Sequence, residues 1–79
     1  MSNAVEAAQA AVAEAETKAD QAEFNVKQAQ VELLAAQGKS AEADVEQAEF
    51  KVKQAEVELL AAQEQLKEAE EKLSNTQGS

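Results

Sequence analysis

The chain has 79 residues and a formal net charge of −9, from sixteen acidic and seven basic side chains, so it makes one small domain at most. That acidity opposes binding to nucleic acid or to an anionic lipid surface, both of which need a cationic face. The chain has two Phe and no Cys, His, Trp, Tyr, Arg or Pro, which removes disulfide and thiol chemistry and leaves helix formers, with Ala commonest, at nearly every position.

At the N-terminus the basic-then-apolar order of a signal peptide is missing. No run anywhere approaches the ~20 apolar residues of a membrane span, which predicts no membrane insertion. If the protein is exported, its signal has already been removed. The opening Met1-Ser2-Asn3-Ala4 and closing Gly78-Ser79 also fit cloning remnants.

The first element is a helix predicted over residues 3–37, with Asn3 and Glu6 placed as a capping pair. Along it Val5, Ala8, Val12, Ala15, Ala19, Ala22, Val26, Ala29, Leu33 and Ala36 follow one another at spacings of three and four. Such spacing puts one apolar seam on a helix. The series fails beyond Leu33, where its continuation lands on Ser40, Gln47 and Gln54.

The failure coincides with Gly38, and residues 38–40 are predicted to turn the chain. Gly38 would take a left-handed conformation after Gln37, Lys39 would sit at the exposed tip, and Ser40 would cap the next helix. Glu42 and Asp44 are favourably placed near that helix's positive end.

A second helix is predicted over 41–74, followed by a frayed tail at 75–79. Its seam is Val45, Ala48, Val52, Ala55, Leu59, Ala62, Leu66, Ala69 and Leu73, again at spacings of three and four. Folding the chain about residue 39 sets large residues opposite large ones and alanines opposite alanines, with Val26 facing Val52 and Ala22 facing Ala55. Every layer is apolar, and the true stagger can differ by half a heptad. The expected fold is therefore all-α: an antiparallel helical hairpin of the close-packed, alanine-rich kind called an Alacoil. The alternative is one continuous rod that tolerates Gly38 inside a helix at a cost of about 1 kcal/mol.

A repeat ties the two halves together. QAEFNVKQAQVELLAAQ at 21–37 recurs as QAEFKVKQAEVELLAAQ at 47–63, with fifteen of seventeen positions identical and a period of 26 residues. Inside it lies a second apolar stripe on the far side of each helix, Phe24, Val31 and Leu34 on the first and Phe50, Val57 and Leu60 on the second. Fully burying one such side chain is worth about 1.5–3 kcal/mol, so an unused stripe is a poor use of the sequence. The expectation is self-association, most simply as a dimer of hairpins forming a four-helix bundle, or packing against neighbouring helical repeats.

Chemistry is hard to place on these residues. The serines have no basic partner other than lysines on the expected surface, and the acidic residues lack the Asp, Asn and Gly pattern of a cation loop. Glu14–Lys18, Glu23–Lys27, Glu49–Lys53 and Glu68–Lys72 read as helix-surface ion pairs in the favourable order. Gly38-Lys39-Ser40 lacks the first glycine of a phosphate loop. No catalytic, metal or cofactor residue is assigned, and the chain is expected not to be an enzyme.

Two resemblances are carried by quoted stretches. AExxVKQAxVELLAAQ resembles the alanine-rich helical repeats of wall-anchored surface proteins from Gram-positive bacteria, which implies a spacer or a binding face at the cell surface or envelope. LLAAQGKSAEADVEQAE resembles the hairpin tip of periplasmic adaptor (membrane fusion) proteins, which implies docking of a protein partner through the tip. Leu33 and Ser40 match that family's docking positions, whereas its Arg position is held by Ala29. The restricted residue alphabet also fits an engineered hairpin. The sequence thus leads to a structural or spacer coiled coil, with a protein-binding hairpin as the alternative.

Overall fold

The computed structural model describes residues 3–39 and 42–78, and they form two helices, α1 (Asn3–Lys39) and α2 (Glu42–Gly78), packed antiparallel along their lengths. Each helix has 37 residues, hence a length of about 55 Å at 1.5 Å per residue. The molecule measures 60 × 13 × 11 Å. A single rod of this sequence would be about twice as long, so the chain is a hairpin. Its radius of gyration, 17.7 Å, is well above the about 12 Å of a compact domain of this size, because two helices side by side have no third layer to shorten them.

Both helices run further than the sequence indicates. Gly38 and Lys39 lie in α1 rather than in a turn, and Gly38 keeps an ordinary helical backbone instead of the expected left-handed one. A helical Gly gives up only about 1 kcal/mol against Ala, less than the neighbouring residues contribute by continuing the helix. Ser40, the expected cap, lies outside the described residues, and Glu42 and Asp44 occupy the first turn of α2.

The expected frayed tail is likewise helical to Gly78. Thr76 follows Leu73 at the next seam position, is half-buried, and donates a 2.8 Å hydrogen bond from Oγ1 to the Lys72 carbonyl. The seam therefore extends one step beyond its last aliphatic residue.

All nineteen seam residues are buried or half-buried. Ala8, Ala15, Ala19, Ala22, Val26, Ala29, Ala48 and Ala55 are the most enclosed, at 6–9% exposure, while Val5, Val12, Leu33, Ala36, Val45, Val52, Leu59, Ala62, Leu66, Ala69 and Leu73 are half-buried. A straight helix would drift about 20° per heptad away from a 3.5-residue repeat. Unbroken burial over nearly five heptads therefore means that the arms wind around each other. Subtracting the ~4.6 Å width of a Cα cylinder from the 13 Å extent leaves about 8 Å between axes, the narrow end of helix packing and the spacing that alanines permit.

The stagger follows from the helix ends and the packed cluster together. The helices end at Lys39 and begin again at Glu42, and Val26, Ala29, Val52 and Ala55 pack together, so residues at one level have numbers adding to about 81 rather than to the 78 of a turn centred on residue 39. This half-heptad shift changes every layer. Leu33 now stands level with Ala48, Val26 with Ala55, Ala29 with Val52, Ala22 with Leu59 and Ala15 with Leu66. Large residues oppose small ones almost throughout, which fills the seam evenly and keeps the axes at one distance. Val26, Ala29 and Ala55 form a cluster of buried residues, with Val52 and Leu59 packed against it.

Candidate functional site

The repeat and the stagger together give the hairpin an internal symmetry. Residues 21–37 and 47–63 carry nearly the same side chains, and the two helices run in opposite directions. A rotation of 180° about an axis normal to the plane of the two helices therefore brings 21–37 onto 47–63. The axis crosses the seam between residues 27 and 28 of α1 and between 53 and 54 of α2. It passes through the Val26–Ala29–Val52–Ala55 cluster, whose two levels are copies of each other.

The symmetry also disposes the second stripe. With the seam as positions a and d of the heptad, Phe24, Val31, Phe50 and Val57 fall at f and Leu34 and Leu60 at b. Position f points almost directly away from the partner helix, and b lies beside it, about 50° around the helix. The six side chains are 59–68% exposed, and they are the large hydrophobic residues left open on the described surface. Phe24 stands level with Val57, and Val31 with Phe50. One stripe therefore runs along the outer edge of α1 and its copy along the outer edge of α2, facing opposite directions. Neither can cover the other within one chain.

Polar residues around the stripes do little else. Glu14 and Lys18 form an ion pair at 3.8 Å, with both side chains more than half exposed, so it contributes a few tenths of a kcal/mol at most. Glu23–Lys27, Glu49–Lys53 and Glu68–Lys72 share that spacing without closing to ion-pair distance, because an exposed pair gains too little to hold two long side chains in one geometry. Gln21 Nε2 donates to Asn25 Oδ1 at 3.2 Å, and Thr17 Oγ1 donates to the Ala13 carbonyl at 3.1 Å, both along α1. Open grooves follow the seam, one of them at the turn end between Glu32, Ala36, Asp44 and Ala48. Each is a shallow valley between two helices rather than an enclosed cavity.

Among the described residues no group of three His, Cys, Asp or Glu side chains is arranged to hold a metal ion, and no helix is long and apolar enough to cross a membrane. Of the expected tip residues, Gly38 and Lys39 close α1, and Ser40 lies outside the described set. That the stripes lie on the far sides of the two helices was identifiable from helical spacing, whereas which of their residues stand level with one another depends on the stagger.

Comparisons with protein-family models, with curated proteins and with solved structures found no significant match to this chain.

Proposed function

We propose that the protein is a non-enzymatic structural or spacer module, a stiff hairpin that associates with copies of itself or with neighbouring helical repeats through its Phe, Val and Leu stripes. The observation that carries this reading is the exposure of Phe24, Val31, Leu34, Phe50, Val57 and Leu60 at 59–68% on an otherwise polar or alanine-lined surface. Large aliphatic and aromatic residues at the outermost helix position contribute nothing to the hairpin seam, so their value lies in an external contact. The 60 Å length of two mutually wound helices suits a spacer, since it holds the turn end away from the end where α1 begins and α2 finishes. A place at a bacterial surface or envelope rests on the resemblance of the repeat alone and is proposed on that ground only.

The reading is tested by mass. Light scattering on the 8.4 kDa chain should give a mass above that of the monomer and rising with concentration, and the double variant Phe24→Ala, Phe50→Ala should return it to the monomer with unchanged helix content. A wild-type chain that stays monomeric at every concentration sinks the proposal of self-association.

A further inference from the structure

We infer that the chain has a second, extended state in which α1 and α2 run on as one helix, and in which each outer stripe becomes part of a longer seam against a second copy of this chain. This rests on the proposed self-association and specifies its geometry. The observation is one of helical phase. Phe24, Val31 and Leu34 point away from α2, yet continuing their heptad spacing through Gly38 and Ala41 leads straight into Val45 and Ala48, the first residues of the α2 seam. Along the other seam, counting by sevens from Ala29 and Ala36 leads through Ala43 to Phe50 and Val57. In the hairpin both lines are cut between Lys39 and Glu42. In an unbroken helix each would be a continuous seam, one over 5–57 and one over 24–76, on nearly opposite sides of the rod. Gly38 and Lys39 already lie in helical backbone, which leaves two residues to complete such a helix.

The register agrees with the phase. With numbers at one level adding to about 81, the hairpin sets residues 5–36 of one seam against 45–76 of the other. Two extended copies laid antiparallel at that same register keep every one of those layers. They add Phe50 against Val31, Val57 against Phe24 and Ala43 against Gly38, pairs that the hairpin holds level but on opposite outer edges. The other three added layers each hold a polar residue, so the gain is concentrated at the two Phe–Val levels. A seam over 5–57 with four residues in seven at or beside the contact involves roughly 30 residues a side, the upper end of a stable specific interface. Like charge does not forbid the contact. Six acidic and three basic residues give α1 a net −3, ten and four give α2 a net −6, and the same seam already holds these two helices together. The line over 5–57 of one copy always meets the line over 24–76 of the next, so a second line stays free on each and copies add without closing.

Pulsed electron paramagnetic resonance separates the two states, using chains spin-labelled through Thr17→Cys and Glu64→Cys and diluted into unlabelled protein. These exposed positions stand level on the two arms, so the hairpin gives a distance close to its own width, whereas the extended helix gives about 70 Å by helical rise. As total concentration rises, the long distance should appear together with a mass, by sedimentation velocity, that passes the dimer. Glu42→Pro blocks extension alone, because proline suits the first position of α2 but breaks a helix running through it. That variant should keep the short distance and the monomer mass at every concentration, with wild-type helix content by circular dichroism. A wild-type chain that gains mass while showing only the short distance overturns the extended state and leaves self-association intact. So does a Glu42→Pro variant that grows as the wild type does, and a wild-type monomer at all concentrations removes both proposals.

Discussion

Gly38 stands in helical backbone, and apart from its chain neighbours and its own helical turn nothing lies within 4 Å of the place where a Cβ would project. Gly38→Ala should therefore stabilise the hairpin by about 0.5–1 kcal/mol, through the better helix propensity of Ala and the smaller entropy of its unfolded chain. Urea unfolding at fixed protein concentration checks this, and a loss of stability would mean that the residue needs a left-handed conformation after all. The glycine was legible as the place where the heptad phase breaks, but not as a helical residue. Phase records which residues face the seam, whereas the end of a helix depends on a balance of about 1 kcal/mol that one glycine does not tip. Thr76 illustrates the same point at the other end. A polar residue at a seam position reads as the seam's end, yet its hydroxyl finds the Lys72 carbonyl and the last turn continues.

At the scale of the helices, the two arms and their apolar seams were legible because spacings of three and four persist through both halves. The stagger was not, because every layer is apolar whether residue numbers at one level add to 78 or to 81. What decides is the size of the side chains and the position of the helix ends. The acidic pair Glu42 and Asp44, suited to the start of α2, was the available hint that the turn centres beyond residue 39. The large-opposite-small arrangement has one gap, the level of Ala19 and Ala62, where alanine meets alanine beside an open groove lined by Glu16, Asp20, Glu23 and Gln63. The symmetry copy of Ala19 is Val45, which stands level with Ala36. Ala19→Val should restore the pattern and stabilise by about 1 kcal/mol, in line with ~0.8 kcal/mol per buried methylene less the helix penalty of a branched residue. Ala29→Val, level with Val52, should instead lose about 1–3 kcal/mol through overpacking. Measured side by side in urea, equal responses of the two variants would show that the stagger is not the one described.

For the whole molecule, shape and charge pull against each other. A net charge of −9 lies along a hairpin only two helices thick, and the Glu14–Lys18 pair on it is exposed. Self-repulsion is therefore the main electrostatic contribution, and raising ionic strength from about 0.01 M to about 1 M, which shortens the Debye length from about 30 Å to about 3 Å, should raise the thermal midpoint at fixed protein concentration. A falling midpoint would mean that attractive pairs dominate. The internal two-fold carries a further meaning. Over the seventeen repeated residues the antiparallel pair is a homodimer in all but covalent structure, and here two residues of sequence between Lys39 and Glu42 tie its halves together. The seam on α1 is thus complementary to the seam on α1 of another molecule almost as well as to that on α2 of its own. What selects the chain's own arm is proximity: the tether supplies a local concentration of millimolar order that a separate molecule must match. The short link between the helices is therefore what makes the hairpin a hairpin, while the seam alone specifies only that two such helices meet head to tail.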